Sequence, residues 1–300
     1  MMAAEQKAPP WRGELRLDEP MARHTSWRVG GPAARFFEPA DSSDLVDFLA
    51  ALEPTEPLFW VGLGSNLLVR DGGLRGTVIH TTNRLAALEV PGEGGLRAEV
   101  GVPCAKVARA AARAGLAGAG FLAGIPGTLG GALAMNAGAF GGETWELVEA
   151  VETVDRHGVV RRRTPADYRI GYRAVEGPEG EWFLAAFLRL LPDADGEANA
   201  AIRELLARRN ASQPTTQPTA GSTFRNPEGD YAARLLEDVG MKGHCVGGAC
   251  VSDRHANFIV NTGTATAADI EGLMAEMADA VLARHGVRLE PEVRIVGEAT

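Results

Sequence analysis

Two short stretches decide the reading of this chain: Gly62-Leu63-Gly64-Ser65-Asn66-Leu67-Leu68-Val69 and Gly124-Ile125-Pro126-Gly127-Thr128-Leu129-Gly130-Gly131-Ala132. The first follows Leu58-Phe59-Trp60-Val61, an apolar run that predicts a buried strand. The second leads into Leu133-Ala134-Met135-Asn136-Ala137-Gly138 and predicts a loop entering a helix whose N-terminus faces a pyrophosphate. Glycine has no Cβ, so such turns let main-chain N–H groups close on an anion, and Ser65 and Asn66 add donors. Neither stretch ends in Gly-Lys-Ser/Thr, which excludes a Walker A loop. Gly118-Ala119-Gly120-Phe121-Leu122-Ala123 has the G-x-G-x-x-A spacing. No strand precedes it and Gly124-Ile125-Pro126 breaks any helix after it, so it is not a nicotinamide fingerprint. One glycine turn alone is an ordinary tight turn. Two of them about 60 residues apart predict a dinucleotide gripped from two sides, which points to FAD.

Composition agrees. Of 300 residues 37 are Gly, and 19 of these lie between Gly62 and Gly142, so the surplus is local. A 45% hydrophobic and 23% charged chain is globular rather than disordered. Its 30 basic and 39 acidic residues give −9, which argues against a nucleic-acid partner, since phosphate backbones need a concentrated positive field. The N-terminal Met1 to Pro10 has no apolar core of a signal peptide, and no apolar run reaches the roughly 18 residues of a membrane span. A cytoplasmic, non-membrane monomer is expected. Cys104, Cys245 and Cys250 are too few and odd in number for a disulfide framework, and read as buried thiols in a reducing compartment. His244 beside Cys245 lacks a second ligand pair, so no metal is expected.

The expected organisation is α+β. Residues 76–80 and 96–100 read as strands, and 103–114 as a helix with Pro103 in its first turn and Gly115 after its end. Asp155-Arg156-His157-Gly158 predicts a hairpin between 148–154 and 159–163, and 183–191 predicts a further strand. A boundary falls near Pro192-Asp193-Ala194-Asp195-Gly196, followed by a helix carrying Ile202, Leu205 and Leu206. Beyond it lie a polar linker, 213–219, a short helix, 231–239, and a strand, 256–261. An amphipathic helix through Ile270, Leu273, Met274, Met277, Val281 and Leu282 ends at Gly286, and a final strand, 287–296, is interrupted by Pro291.

Three later segments concentrate polar residues. Tyr168-Arg169 and Tyr172-Arg173 are two Tyr-Arg pairs four apart. Ala220-Gly221-Ser222-Thr223-Phe224-Arg225-Asn226-Pro227 is a Gly-Ser turn with Arg and Asn beside it. Leu289-Glu290-Pro291-Glu292-Val293-Arg294 sets two carboxylates around a proline, and strand alternation would put Glu292 and Arg294 on one face, where a plain ion pair is the ordinary outcome.

At these residues the chain resembles the UDP-N-acetylenolpyruvoylglucosamine reductase family. The resemblance is carried, in order, by His24-Thr25-Ser26-Trp27-Arg28-Val29-Gly30-Gly31-Pro32-Ala33, the two glycine stretches, Gly221 to Pro227, Lys242-Gly243, His255 to Asn261 and Glu290 to Arg294. It implies a two-lobed FAD-binding domain of the vanillyl-alcohol-oxidase (PCMH) type followed by an α+β substrate-binding domain. The implied division is an N-terminal extension over 1–20, lobes over 21–82 and 83–192, and the substrate domain over 193–300. It implies bound FAD, NADPH as electron donor and UDP-N-acetylglucosamine enolpyruvate as acceptor, in peptidoglycan synthesis, the two ligands alternating at one site. It implies cofactor contacts from Gly62 to Leu67, Gly124 to Thr128, Gly130, Gly131, Ala132, Asn136 and Gly138. Ser222 takes the role of proton donor and Arg173 and Glu292 those of stabilising the enolate, with Tyr172, Asn226, Lys242 and Arg294 near substrate. The family follows its Tyr-Arg with a Ser two residues on, whereas Ala174-Val175 stands here, so Arg169 is a second candidate for the arginine role. The length resembles the subgroup without an extra Tyr-bearing loop. Two other readings are an alcohol or lactone oxidase on the same flavin lobes, and a non-catalytic nucleotide-binding protein, which would show no flavin colour.

Overall fold

The structure, a computed structural model, describes residues 10–92 and 94–300. The first sheet runs Glu14–Pro20, Pro32–Glu38, Leu74–His80, Leu58–Val61. Its first pair is antiparallel and the other two are parallel. The parallel pairs need a crossover, and the helix Ser42–Ala50 supplies one. Asp41 caps that helix by accepting from Asp44 N–H at 2.9 Å, and its buried Phe48 stacks on Phe37 with ring centroids 3.6 Å apart. The segment expected as an extension therefore contributes a strand to this sheet from Glu14 onward; residues 1–9 lie outside the described residues.

The second sheet is antiparallel, in the order Val160–Arg163, Val148–Asp155, Glu181–Arg189, Gly95–Glu99, Leu88–Gly92. The hairpin forms as expected, because the Asp155 carboxylate accepts N–H bonds from His157 at 2.8 Å and Val159 at 3.0 Å. The helix after Pro103 spans Cys104–Arg113. The two sheets share one core with their helices: Phe37 and Ile79 of the first sheet and Phe48 of its helix cluster with Leu96, Val151 and Leu188 of the second sheet and Val107 of the helix Cys104–Arg113.

In the last third, the helix Ala198–Ser212 packs through Ile202 onto the core of the second sheet, and the helices Ala232–Asp238 and Ala267–His285 lie beside a three-stranded antiparallel sheet, Cys245–Val246, Ala249–Val251 and Ile259–Asn261. The long helix buries Ile270, Leu273, Met274, Met277 and Val281 and stops at Gly286, whose φ is +68°. Asp71, on the loop after the first glycine stretch, accepts from Ala267 and Ala268 N–H, each at 3.0 Å, so this helix starts against the first sheet's loops. Two expected strands are shorter than predicted. Residues 256–258 turn, with Phe258 N–H bonded to His255 O at 3.0 Å, and Pro291 interrupts the ladder so that the final strand is only Arg294–Val296.

The cysteine expectation is corrected. Cys245 is exposed and forms a disulfide with Cys250, its partner across the hairpin, with Cα atoms 4.1 Å apart. Sequence spacing hid this because the Gly247-Gly248 turn sets the two residues directly opposite. Cys104 alone is a buried thiol, pushed up to about 12 by burial.

Trp27 joins the last third to the first. It is fully buried, its Nε1 donates to Ile259 O at 2.8 Å, and Asn261 Nδ2 donates to its carbonyl at 2.8 Å. Trp27→Phe leaves a void and an unpaired carbonyl, and should lower stability by about 2–3 kcal/mol in urea unfolding. An unchanged urea midpoint would contradict this packing.

Candidate active site

The two glycine stretches abut. A Cβ on Gly62 would lie 2.3 Å from Thr128 Oγ1, and one on Gly127 would lie 3.3 Å from Ser65 Oγ. Gly64 has φ +59°, and a Cβ there would meet His24 O at 2.1 Å, so only glycine fits. Among the described residues, the N–H groups of Gly62, Leu63, Gly64, Ser65 and Asn66 donate to no main-chain carbonyl, nor do those of Thr128 and Gly131. Thr128 Oγ1 is buried with no partner. Seven free N–H groups and an orphan hydroxyl across one seam form a donor array that fits the pyrophosphate of a dinucleotide.

The remaining cofactor candidates divide. Leu67 lies in the strand Leu67–Val69, paired with Arg294–Val296, so the loop ends at Asn66. Gly124, Ile125, Pro126 and Gly138 line a cavity beside the seam. Gly130 packs against Val100, and its N–H donates to Val100 O at 2.9 Å; Ala132 N–H donates to Thr128 O at 3.0 Å. Neither offers a donor. Asn136 is corrected most clearly: it is buried, it donates to Glu143 Oε2 at 2.7 Å and Gly171 O at 3.2 Å, and it accepts from Trp145 N–H at 3.1 Å. Its amide is taken up in tying Glu143 and Trp145 to Gly171, at the edge of the Tyr172-Arg173 turn.

That turn joins the strands Arg169–Gly171 and Ala174–Glu176, and Arg173 adopts φ +53° to close it. The geometry aims Arg173 inward, where its Nε donates to Glu292 Oε1 at 3.1 Å and its NH2 to Gly138 O at 3.0 Å. Arg169 instead meets Glu176 at the surface, with 85% of its side chain exposed, so it does not serve as the site arginine. Arg173 and Glu292 are 17% and 13% exposed. Burial pushes the Glu292 carboxyl above its ordinary value, opposed by the charges of Arg173 and Arg225.

Ser222 lines the same cavity, of about 290 Å³, with Arg173, Glu292, Ser65 and Asn66. Gly221, at φ +78°, turns the chain ahead of it. The turn is then clamped: Asn257 Oδ1 accepts from Phe224 N–H at 2.9 Å and Asn257 Nδ2 donates to Phe224 O at 2.8 Å. Glu292 N–H donates to Thr223 O at 2.8 Å, and Asn66 Nδ2 donates to Glu292 O at 3.0 Å. Proton-donor candidate, carboxyl and glycine loop are thereby fixed to one another through main-chain atoms.

Glu292 and Arg294 do not share a face. Glu292 sits at a bend ahead of the strand, and Arg294 lines a second cavity, also about 290 Å³, with Trp60, Gly62, Thr128, Tyr168 and Trp182. The other substrate candidates are partly engaged. Tyr172 is half exposed, with the Arg173 guanidinium 5.2 Å from its ring centroid. Asn226 Oδ1 accepts from Ala232 N–H at 3.1 Å at a helix start, and Lys242 pairs with Glu237 at 2.7 Å and lines neither cavity. Two site residues escaped the sequence reading. Asn257 clamps the Ser222 turn, and Arg225 NH2 donates to Arg173 O at 3.4 Å. Asn257 stood within a matching segment, but only the fold shows what its amide holds. No cluster able to hold a metal occurs among the described residues.

Comparison with known proteins agrees with this geometry. Residues 33–164 match the FAD binding domain family, and residues 213–296 match the C-terminal domain of UDP-N-acetylenolpyruvoylglucosamine reductase. The chain is 62% identical over 297 residues to the UDP-N-acetylenolpyruvoylglucosamine reductase of Methylococcus capsulatus, covering 99% of this chain and 98% of that one. It is 62% identical over 299 residues to the reductase of Alkalilimnicola ehrlichii, covering 100% and 99%. The crystal structure of the Thermus caldophilus reductase superposes with a TM-score of 0.81 at 33% identity, covering 95% of this chain and 98% of that one. On residues, fold and site together, the chain belongs to the UDP-N-acetylenolpyruvoylglucosamine reductase family.

Proposed function

We propose that the chain reduces the enolpyruvyl double bond of UDP-N-acetylglucosamine enolpyruvate with NADPH as electron donor, Ser222, Arg173 and Glu292 carrying the chemistry. The observation that carries this is the largely buried Arg173–Glu292 pair, 3.1 Å apart, in one cavity with Ser222 beside the glycine seam. The free N–H groups of residues 62–66, Thr128 and Gly131 would hold the pyrophosphate of FAD. When bound, FAD supplies the hydride chemistry between donor and acceptor.

The chain's own groups do the rest. Hydride arrival at an enolpyruvyl alkene pushes negative charge onto the attached carboxylate. Arg173, held by Gly138 O and Glu292, is a preorganised cation that can meet that carboxylate through two N–H groups. A bare Glu292 would repel the developing enolate. Its raised pKa favours the acid form, which donates a hydrogen bond instead. Ser222 Oγ, set by the Gly221 turn and clamped through Asn257, gives its proton to the carbanion carbon and recovers one from solvent. Serine is a weak acid, but a strongly basic enolate at hydrogen-bond distance is a sufficient acceptor. The reading carries with it a cytoplasmic monomer with no nucleic-acid or membrane partner; the −9 charge supports the exclusion of nucleic acid.

Ser222→Ala should leave flavin reduction by NADPH intact while reoxidation by substrate slows by about 10²-fold or more, measured by stopped-flow absorbance. Normal reoxidation in that variant would sink the proton-donor role. The raised pKa of Glu292 also fixes the direction of a pH effect. Activity requiring the acid form is full below that raised pKa and declines as pH rises through it. Glu292→Gln keeps a neutral donor, so kcat/KM should fall by less than about tenfold and the alkaline limb assigned to Glu292 should vanish. A larger loss with an unchanged limb would show that the ionised carboxylate is the working form.

A further inference from the structure

We propose that the Cys245–Cys250 pair is a redox modification site, opened and closed by thiol exchange with a small dithiol, and that its disulfide state staples the last third of the chain. The turn between the two residues sets the geometry. Val246 pairs with Ala249 across Gly247-Gly248, so Cys245 falls directly opposite Cys250. Both turn residues must be glycine: a Cβ on Gly247 would lie 2.3 Å from Asp269 Oδ1, and one on Gly248 would lie 2.3 Å from Ala265 N. Packing therefore fixes the register whatever the state of the sulfurs. The hairpin is also held without the disulfide. Gly248 N–H donates to Asp269 Oδ2 at 3.3 Å, Thr262 Oγ1 to Gly248 O at 2.9 Å, and Val251 N–H to His244 O at 2.9 Å. Breaking the S–S bond leaves these bonds in place, and the freed Cys245 thiol has an acceptor in Gly243 O, 3.4 Å away. Both states fit one backbone, as a reversible site requires.

Exposure sets the direction of attack. Cys245 is exposed and Cys250 half-buried, while Cys104 is buried and out of reach. An incoming thiolate therefore strikes Cys245 Sγ. Its sulfur bonds to Cys245 as the Cys245–Cys250 bond breaks, and Cys250 leaves as a thiolate and takes a proton. With a monothiol, Cys250 stands opposite and closes the ring again. The second sulfur of a dithiol instead gives up its proton and displaces Cys245, which takes a proton as the reagent leaves as its own disulfide. Two electrons and two protons pass to the pair.

The staple lies where the last third is tied to the rest. The strand Cys245–Val246 pairs with Ala249–Val251, which pairs in turn with Ile259–Asn261. Ile259 O and Asn261 are the partners of Trp27. The hairpin tip rests on Asp269, in the first turn of the long helix. A cross-link here restricts the unfolded chain, so the oxidised state resists unfolding more than the reduced one.

The test counts thiols on the folded full chain by maleimide labelling and mass. The chain oxidised with diamide should take no label, and the chain then treated with dithiothreitol should take two. Only urea should expose Cys104 as the third. Urea unfolding followed by tryptophan fluorescence should show the midpoint falling by about 0.5–1 M on reduction and returning on reoxidation. In Cys245→Ser the midpoint should not respond to dithiothreitol. In Cys250→Ser, which lacks the re-closing sulfur, oxidised glutathione should load Cys245 faster than it loads Cys250 in Cys245→Ser. A pair that stays labelled after diamide, a disulfide that opens only in urea, equal midpoints for the two states, or faster loading of Cys250 overturns the inference. If a variant fails to fold, the wild-type label counts and midpoints decide it.

Discussion

The site depends on the main chain of residues 290–296, which is hydrogen-bonded to two other segments at once. Arg225 N–H donates to Glu290 O at 2.9 Å and Glu292 N–H to Thr223 O at 2.8 Å, which locks this stretch to the Ser222 turn. Arg294 N–H donates to Asn66 O at 3.1 Å, and the strand continues in parallel beside Leu67–Val69, which locks it to the first glycine loop. Pro291, which has no N–H to give, lies opposite Phe224 between the two bonds to the Ser222 turn, and Glu292 just after it faces Arg173. Main-chain bonds of this kind survive side-chain substitution. The variants proposed for Ser222 and Glu292 should therefore remove chemistry without dispersing the site.

Charge is handled locally rather than globally. On the proposed reading, a chain of net charge −9 would bind anionic cofactor and substrate through the free N–H groups at the glycine seam and through Arg173, not through a basic surface. Burying Arg173 and Glu292 together excludes most of the water around the guanidinium, which would strengthen what Arg173 can do for a developing enolate. The same burial raises the carboxyl pKa, so one structural choice both orders the arginine and prepares the acid. Trp27 and Asp71 serve this arrangement from a distance, because they seat the last third of the chain against the loops that carry the phosphate donors.

Much of this was legible in the sequence where local chemistry dictates local shape. The first glycine stretch forms a turn as read, the hairpin turns at Asp155 to Gly158, and the long helix stops at Gly286, whereas the helix expected to follow the second stretch begins within it, at Leu129, and ends at Ala134. The Ser222, Arg173 and Glu292 segments, 119 residues apart between the last two, do converge on one cavity. What sequence could not carry was set by long-range partners. Asn136 looked like a cofactor ligand, but its amide is taken by Glu143, Gly171 and Trp145. Strand alternation misplaced Arg294, because the ladder begins only at Arg294 itself and Glu292 lies in the bend before it. Cys245 and Cys250 read as separate thiols, but the Gly247-Gly248 turn sets them opposite each other. Arg173 over Arg169 was decided by a left-handed turn residue, which no periodicity reveals. The first sheet's strand from Glu14 also escaped, since its edge position leaves Leu17 exposed and its pattern mostly polar.

The central claim is that this cavity joins a flavin to an enolpyruvyl sugar nucleotide. The most direct measurement is an anaerobic half-reaction cycle on the FAD-loaded chain followed by flavin absorbance. NADPH should bleach the flavin, and UDP-N-acetylglucosamine enolpyruvate should restore its colour rapidly, while UDP-N-acetylglucosamine without the enolpyruvyl group restores none. A flavin that stays bleached in the presence of the enolpyruvyl nucleotide, or that recovers faster with oxygen than with it, would contradict the account.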